Sequence, residues 1–238
     1  MTDVASLWSY LATTPLIWLT TTILAYLVAD GVAQRFGNPP WANPVLMSVL
    51  LIAPMLWLTQ TEYATYFEGA QFIHFLLGPA TVALALPLWD NRDTIKTSVA
   101  PILLALIAGS LVAAGSAILL ARAFGLQMEV LLSLAPKSTT APVALGISEA
   151  IGGIPALTAV LVILTGIIGA VTVTPVMNML RITDWRARGF AVGVAAHGIG
   201  TARAFQVNPV AGAYAGIAMA LNALLTSLIV PLLVRWLV

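Results

Sequence analysis

Long apolar runs, separated by short polar or proline-rich breaks, fill the chain from Leu16 to Trp236. Their lengths predict membrane helices, since a helix needs about 20 apolar residues to cross a bilayer. Leu16–Gln34 is the first such run, extended by Trp8–Leu11, and it ends at Asp30, Arg35 and the turn Gly37-Asn38-Pro39-Pro40. Asn43-Pro44 opens a second segment that reaches Leu58 and is short for a crossing. Gln60–Gly69 reads as a polar connection with Glu62 and Glu68, rich in tyrosine, an interfacial residue. Gln71–Trp89 follows, interrupted at Gly78-Pro79 and closed by the charged stretch Asp90–Lys96. Ser98–Leu120 carries Gly109, Ala113, Ala114 and Gly115, which suit close helix packing. Ala156–Leu180 and Val210–Trp236 are further full-length runs.

Two segments carry polar groups where the pattern demands apolar ones. Within Met128–Glu149 the chain reads Leu134-Ala-Pro-Lys-Ser-Thr-Thr-Ala-Pro142. Each proline lacks an N–H and breaks a helix. Broken backbone at membrane depth needs protein or a wet cavity around it. Lys137 there costs roughly 2.5–3.5 kcal/mol on insertion scales unless paired or solvated. The second interruption, in Phe190–Phe205, is His197-Gly-Ile-Gly-Thr-Ala-Arg203. The halves of the chain share a plan, and Gly78-Pro79-Ala80-Thr81 falls opposite Gly198-Ile199-Gly200-Thr201 at an offset of 120. Paired interrupted helices in matching positions point to a transporter site. The repeats expected are 1–124 and 125–238, within a single transmembrane domain.

Composition agrees. Of 238 residues, 60% are hydrophobic and 8% charged, against about 25% charged in soluble domains. Net charge is +1 without a basic cluster, so nucleic acid is not an expected partner. Cysteine is absent, which removes disulfides and thiolate chemistry, and two histidines half a chain apart make a poor metal site. No cofactor is expected, and neither a cleaved signal peptide nor a nucleophile–base pair is visible, so an enzyme is not expected. Arg35, Arg92 with Lys96, Arg181–Arg188 and Arg235 all favour the cytoplasmic side. If Met128–Glu149 is a re-entrant hairpin, seven full crossings put every basic loop inside. If it crosses, there are eight.

Lys137, Ser138, Thr139 and Thr140, with free N–H groups at a half-helix N-terminus, could hold an anion. Otherwise the stretch is a solvated loop. Gly198 and Gly200 allow close backbone approach, Thr201 offers a hydroxyl, and Arg203 can grip a carboxylate through two bonds. The bland alternative is a kinked helix with Arg203 reaching the surface. His197 is either a packed histidine or a proton carrier. Glu149 is one acidic partner for Lys137. Thr81 shares the matching break, and Asn222, on one helix face with Thr226, is either a ligand contact or helix–helix glue.

The motifs Leu134-Ala-Pro-Lys-Ser138, Ile147-Ser-Glu149, Ile151-Gly-Gly-Ile-Pro-Ala-Leu-Thr-Ala159, Ile163-Leu-Thr-Gly166 and Ala196-His-Gly-Ile-Gly-Thr-Ala-Arg203 resemble the LrgB/CidB family. Gly69-Ala-Gln-Phe-Ile73 and Leu77-Gly-Pro-Ala-Thr-Val-Ala83 extend the resemblance over nearly the whole chain. After Pro-Lys-Ser the family has Val-Thr-Thr-Pro, where this chain has Thr139-Thr140-Ala141-Pro142, so the hydroxyls are shifted. The resemblance implies one of two roles. One is an antiholin-like or holin-like protein that modulates murein hydrolase export and autolysis beside a small LrgA/CidA partner. The other is carriage of glycolate, glycerate or pyruvate, the first two by the plant plastidic relative. It also implies a homodimer.

The expectation is therefore an all-α polytopic membrane protein with 7–8 transmembrane segments, inverted repeats, and broken or re-entrant helices. It would sit in the bacterial inner membrane and carry small monocarboxylates, with Lys137 and Arg203 neutralising one carboxylate.

Overall fold

The apolar runs are helical wherever the computed structural model describes them, which is over residues 15–39, 42–76, 79, 82–83, 85–90 and 92–237. No strand occurs among these residues. A helix satisfies its backbone within the segment, as hydrocarbon requires. In chain order the helices are α1 Pro15–Arg35, α2 Pro44–Leu58, α3 Tyr63–Phe75, α4 Ala85–Asp90, α5 Arg92–Thr97, α6 Val99–Ala123, α7 Met128–Leu134, α8 Ala141–Ile151, α9 Pro155–Met179, α10 Trp185–Val207 and α11 Pro209–Leu237. Among the described residues, α1, α6, α9 and α11 are long and apolar enough to cross a membrane. They match four of the expected spans to within a few residues. The first-span extension Trp8–Leu11, and Gly78, Ala80 and Thr81 of the matching break, lie outside the described residues.

Two compact units divide the chain, residues 1–80 and 81–238. In the first, Asn43 caps α2 by accepting from the N–H groups of Val45 and Leu46 at 3.0 and 3.1 Å, with Pro44 at the position where proline fits. The expected connection Gln60–Gly69 is mostly helix, because α3 begins at Tyr63. Its aromatics explain this: Tyr66 meets Trp18 of α1 edge-on at 5.9 Å, and Tyr63 stacks on Phe67 at 5.7 Å. Packing on α1 outweighs the polar composition. In the second unit, Asp90 and Arg92–Lys96, expected as a loop, lie in the short helices α4 and α5.

The second unit is organised by two helices that turn back on themselves. The first pair is α7 and α8. Gly152, at φ 84, ends α8, and Pro155 starts α9. Ser133, at the end of α7, accepts the Ile154 N–H at 2.8 Å. Thr158 Oγ1 lies 2.7 Å from Ser148 Oγ and 3.1 Å from the Ser133 carbonyl. The C-terminal turn of α8 and the start of α9 thus return to the level of α7, and the chain forms a hairpin with 135–140 beyond it.

α10 folds back more sharply. Ala196 (φ −131°, ψ 19°) and His197 (φ 39°, ψ −137°) leave helical geometry. A methyl group on Gly200 would come within 2.8 Å of Val192 Cγ2. In a straight helix those positions are about 12 Å apart. Arg203, Ala204 and Val207 accordingly lie beside Trp185, Arg188 and Gly189. The expected interruption over His197–Arg203 is concentrated at Ala196–His197, and 198–207 is a helical return arm. Gly189 and Gly193 let α11 pack along the first arm, against Ala211, Ala215 and Ala218.

These fold-backs correct one placement. Ser98, at the start of α6, and Asp184, at the start of α10, border one cavity. At the other end, Arg122 of α6 donates to the Leu237 carbonyl of α11. Because α10 returns to the side it left, Arg235 sits at the Arg122 end, away from Lys96 and Arg186, and not with them as expected.

Candidate solute-binding site

Pro136 stops α7, and the chain turns through Lys137 and Ser138 before Pro142, in the first turn of α8, restarts the helix. The Lys137 N–H reaches the Leu134 carbonyl at 3.2 Å, and the Thr139 N–H reaches that of Pro136 at 3.1 Å. This turn lifts Lys137 and Ser138 onto the wall of a cavity of about 750 Å³. The other walls are α6 (Ile102, Ala105, Gly109, Val112), the first arm of α10 (Ala187, Phe190, Val194) and Tyr214 of α11, with Ser98, Asp184 and Arg186 at one end. Among the described residues, two cations and one carboxylate line it, in apolar surroundings.

Among the described residues the ion pairs are Lys96–Asp93 at 3.6 Å and Arg186–Asp184 at 2.8 Å. The half-buried Lys137 is in neither. Asp184 accepts from Arg186 Nη2 and Nε and also from the Arg186 N–H at 2.8 Å, capping α10. The guanidinium beside it holds its carboxyl at about 2, well below the usual carboxylate range. Asp184 is thus engaged, and Lys137 is in no ion pair among the described residues.

Next to Lys137 the hydroxyls of Thr139 and Thr140 are buried without a hydrogen-bond partner. Thr140 is the N-cap residue of α8, yet its side chain makes no capping bond. The first intrahelical bond runs from the Ala144 N–H to the Thr140 carbonyl at 2.8 Å. A buried unsatisfied hydroxyl costs about 1–3 kcal/mol, so such a cluster calls for an explanation. Hydroxyls, an ammonium and a helix N-terminus together suit an anion.

Asn222, in the middle of α11, holds this arrangement. Its Oδ1 accepts from Ser110 at 2.6 Å and Thr226 at 3.1 Å. Its Nδ2 donates to the carbonyls of Ser138 at 3.3 Å and Val194 at 3.2 Å. An amide has two donors and an acceptor with two lone pairs, so all its capacity is used within the protein. Of the two expected roles, the structure gives Asn222 and Thr226 that of helix–helix glue. The same bonds tie Ser138, in the first hairpin's turn, to Val194, near the second hairpin's tip.

The remaining expected residues lie elsewhere. His197 is buried and its Nε2 reaches the Val162 carbonyl at 2.8 Å, so that nitrogen carries the proton. Thr201 donates to the His197 carbonyl at 2.8 Å. Gly200 is buried against the first arm, and Gly198 is exposed. None of these four lines the large cavity. Arg203 borders a second cavity of about 20 Å³, with Arg188 and Trp185, and reaches Gln206 at 3.4 Å. It stands six residues past the tip of α10, at the base of the hairpin, so Lys137 and Arg203 line different cavities. Glu149 is exposed in the last turn of α8, whereas Lys137 precedes the first, and no ion pair joins them. Thr81 lies outside the described residues.

Sequence reasoning did not single out Asp184, Tyr214 or Ser110, and it read Arg186 only as loop charge. Gly166 closes the motif Ile163-Leu-Thr-Gly166. A methyl group there would come within 2.6 Å of His197 Cε1, so Gly166 makes room for the fold-back of α10.

The LrgB-like family model matches residues 22–236. The uncharacterized protein YwbG of Bacillus subtilis (strain 168) is 37% identical over 221 residues, covering 93% of this chain and 98% of that protein. The holin-like protein CidB of Staphylococcus aureus (strain N315) is 32% identical over 219 residues, covering 92% of this chain and 95% of that protein. The CidB of Staphylococcus epidermidis (strain ATCC 12228 / FDA PCI 1200) is 30% identical over 213 residues, covering 90% and 93%. No solved structure matches.

Proposed function

The chain belongs to the LrgB-like family of membrane proteins, and we propose, from the geometry of its cavity, that it is a secondary transporter of small organic anions. Monocarboxylates of the glycolate, glycerate or pyruvate type are the substrates proposed. One observation carries this reading: Lys137, which has no ion-pair partner among the described residues, faces a cavity of about 750 Å³ from a broken helix. A cation held in apolar surroundings favours an anion, and broken helices meeting inside a bundle are where transporters bind. Lys137 takes the carboxylate and Ser138, beside it on the cavity wall, serves the hydroxyl or keto oxygen, while the buried Thr139 and Thr140 hydroxyls stand behind that wall and do not line the cavity. The two hairpins enter from opposite ends and their turns meet at Asn222, which supports a central site between them.

The proposal includes placement in the bacterial cell membrane, seven crossings or eight, inverted repeats, a homodimer, and no enzymatic chemistry. A second reading is favoured by the name of the CidB relatives: a holin-like protein that acts on murein hydrolase export and autolysis with an LrgA/CidA-type partner. The relatives' names support this second reading, and the cavity supports the first.

Uptake of labelled glycolate or pyruvate into proteoliposomes separates the two. Saturable uptake, lost in Lys137→Ala while the protein still inserts, is the expected result. Lys137→Arg restores it in part, because the guanidinium is larger and planar. Absence of uptake by the unmodified protein, with autolysis altered in cells lacking it, selects the holin-like reading.

A further inference from the structure

The cavity holds a second cation that this reading leaves unused. Arg186 lies on its wall, exposed, in the first turn of α10. The lining positions Ala187, Phe190 and Val194 form one face of that arm, leading inward. Asn222 binds both Val194 and Ser138, which places the Lys137 turn at the level of Val194. Eight residues of helix separate Arg186 from Val194, roughly 12 Å. Arg186 thus stands at the outer end of the cavity, and the Lys137 turn lies about two helical turns further in.

We infer that Arg186 is an outer anion subsite of the cavity, and that Asp184 is a built-in competitor which the incoming carboxylate displaces. The inference rests on the transport reading. Arg186 binds Asp184 through Nε and Nη2, at 3.2 and 2.8 Å, as it would bind a solute carboxylate. Both side chains are largely exposed, at 63% and 47%, and such pairs are weak and exchange with other ions. The Tyr214 hydroxyl, beside the guanidinium on the same wall, offers a further donor. An anion drawn to the rim is thus held by Arg186 before it passes the apolar strip to Lys137.

A structural role for the pair must be separated from this one, since Asp184 also caps α10. Asparagine caps a helix as well as aspartate does, so Asp184→Asn keeps the cap and removes the charge. The test is uptake of labelled pyruvate in proteoliposomes at several ionic strengths, with Lys137→Ala as the control for the inner station. Arg186→Gln should raise KM about fivefold or more and flatten its salt dependence, with Vmax changed by less than about twofold, since a rim charge acts on encounter. Asp184→Asn should lower KM, and Arg186→Lys should fall between Arg186→Gln and the unmodified protein.

An unchanged KM and salt dependence in Arg186→Gln, with Lys137→Ala inactive, overturns the outer subsite and leaves the transport reading standing. A KM raised in Asp184→Asn as much as in Arg186→Gln also overturns it, because the pair then acts only as a structural unit. No uptake by the unmodified protein overturns the transport reading and takes the subsite with it.

Discussion

Asn222 concentrates at one residue what a polar side chain in an apolar helix can do: four hydrogen bonds, to α6, α10, α11 and the Lys137 turn, all within the protein. Replacing it by alanine strands the Ser110 and Thr226 hydroxyls and two carbonyls. Asn222→Ala is expected to cost about 1–3 kcal/mol for each group left without a partner. Thermal unfolding of detergent-purified protein should show a clear fall in Tm, while a surface change such as Phe124→Leu should not. The placement of Arg203 also changes an expectation. Had Lys137 and Arg203 shared one carboxylate, their losses in solute affinity would couple; lining separate cavities, they should combine additively to within about 0.5 kcal/mol. Calorimetric pyruvate binding to the two single variants and the double variant measures this. Asp184 supplies a pH test. Its carboxyl is held at about 2, so the pair with Arg186 is complete above the ordinary carboxylate pKa and lost only as pH falls through about 2. The KM ratio between Arg186→Gln and the unmodified protein should therefore stay constant from pH 8 to pH 5.

At the scale of elements, the two breaks arise differently. Pro136 interrupts the helix at 135–140, where its missing N–H cannot be replaced. No proline lies in α10, and its fold-back depends on the space its neighbours leave. Gly166 on α9 receives the His197 ring, and a larger side chain has nowhere to go, since the His197 Nε2 bond to Val162 fixes the ring against α9. Gly166→Val is expected to cost about 1–3 kcal/mol by overpacking. It should lower Tm and weaken carboxylate uptake together. A Gly166→Val protein with unchanged Tm would show that the ring can move aside.

For the whole molecule, the fold-backs make a prediction about sidedness that the cysteine-free sequence allows to be tested cleanly. Single cysteines at Gln127 and Gly152 should label from one side of the membrane, and single cysteines at Thr183 and Asn208 from the other. Labelling of Gln127 and Gly152 from opposite faces would make α7–α8 a crossing; the same result for Thr183 and Asn208 would straighten α10. The basic residues fit this arrangement unevenly. Lys96, Arg181, Arg186 and Arg188 lie at the rim end, and Arg122 and Arg235 lie at the other. The excess of positive charge predicts that the rim end, with Thr183 and Asn208, labels from the cytoplasmic side.

The four long helices, the cap at Asn43 and the break at Pro136 are properties of local sequence: hydropathy sets length, and proline and asparagine act within a turn of where they stand. Lys137 is legible as a candidate site residue for the same reason, because a charge in an apolar, broken segment is costly wherever it points. What local sequence does not carry is which distant groups meet. Arg203 and Lys137 looked alike as cations beside breaks, yet the return arm of α10 carries Arg203 back to the hairpin base. Arg186 looked like loop charge, and the packing of α10 along α6 brought it to the rim. In the sequence Asn222 is as suited to a ligand as to a neighbour, and Ser110, Thr226, Ser138 and Val194 use all its hydrogen bonds. These outcomes were decided by tertiary packing, because a hydrogen bond or a cavity wall depends on positions far apart in the chain that no local pattern of residues relates.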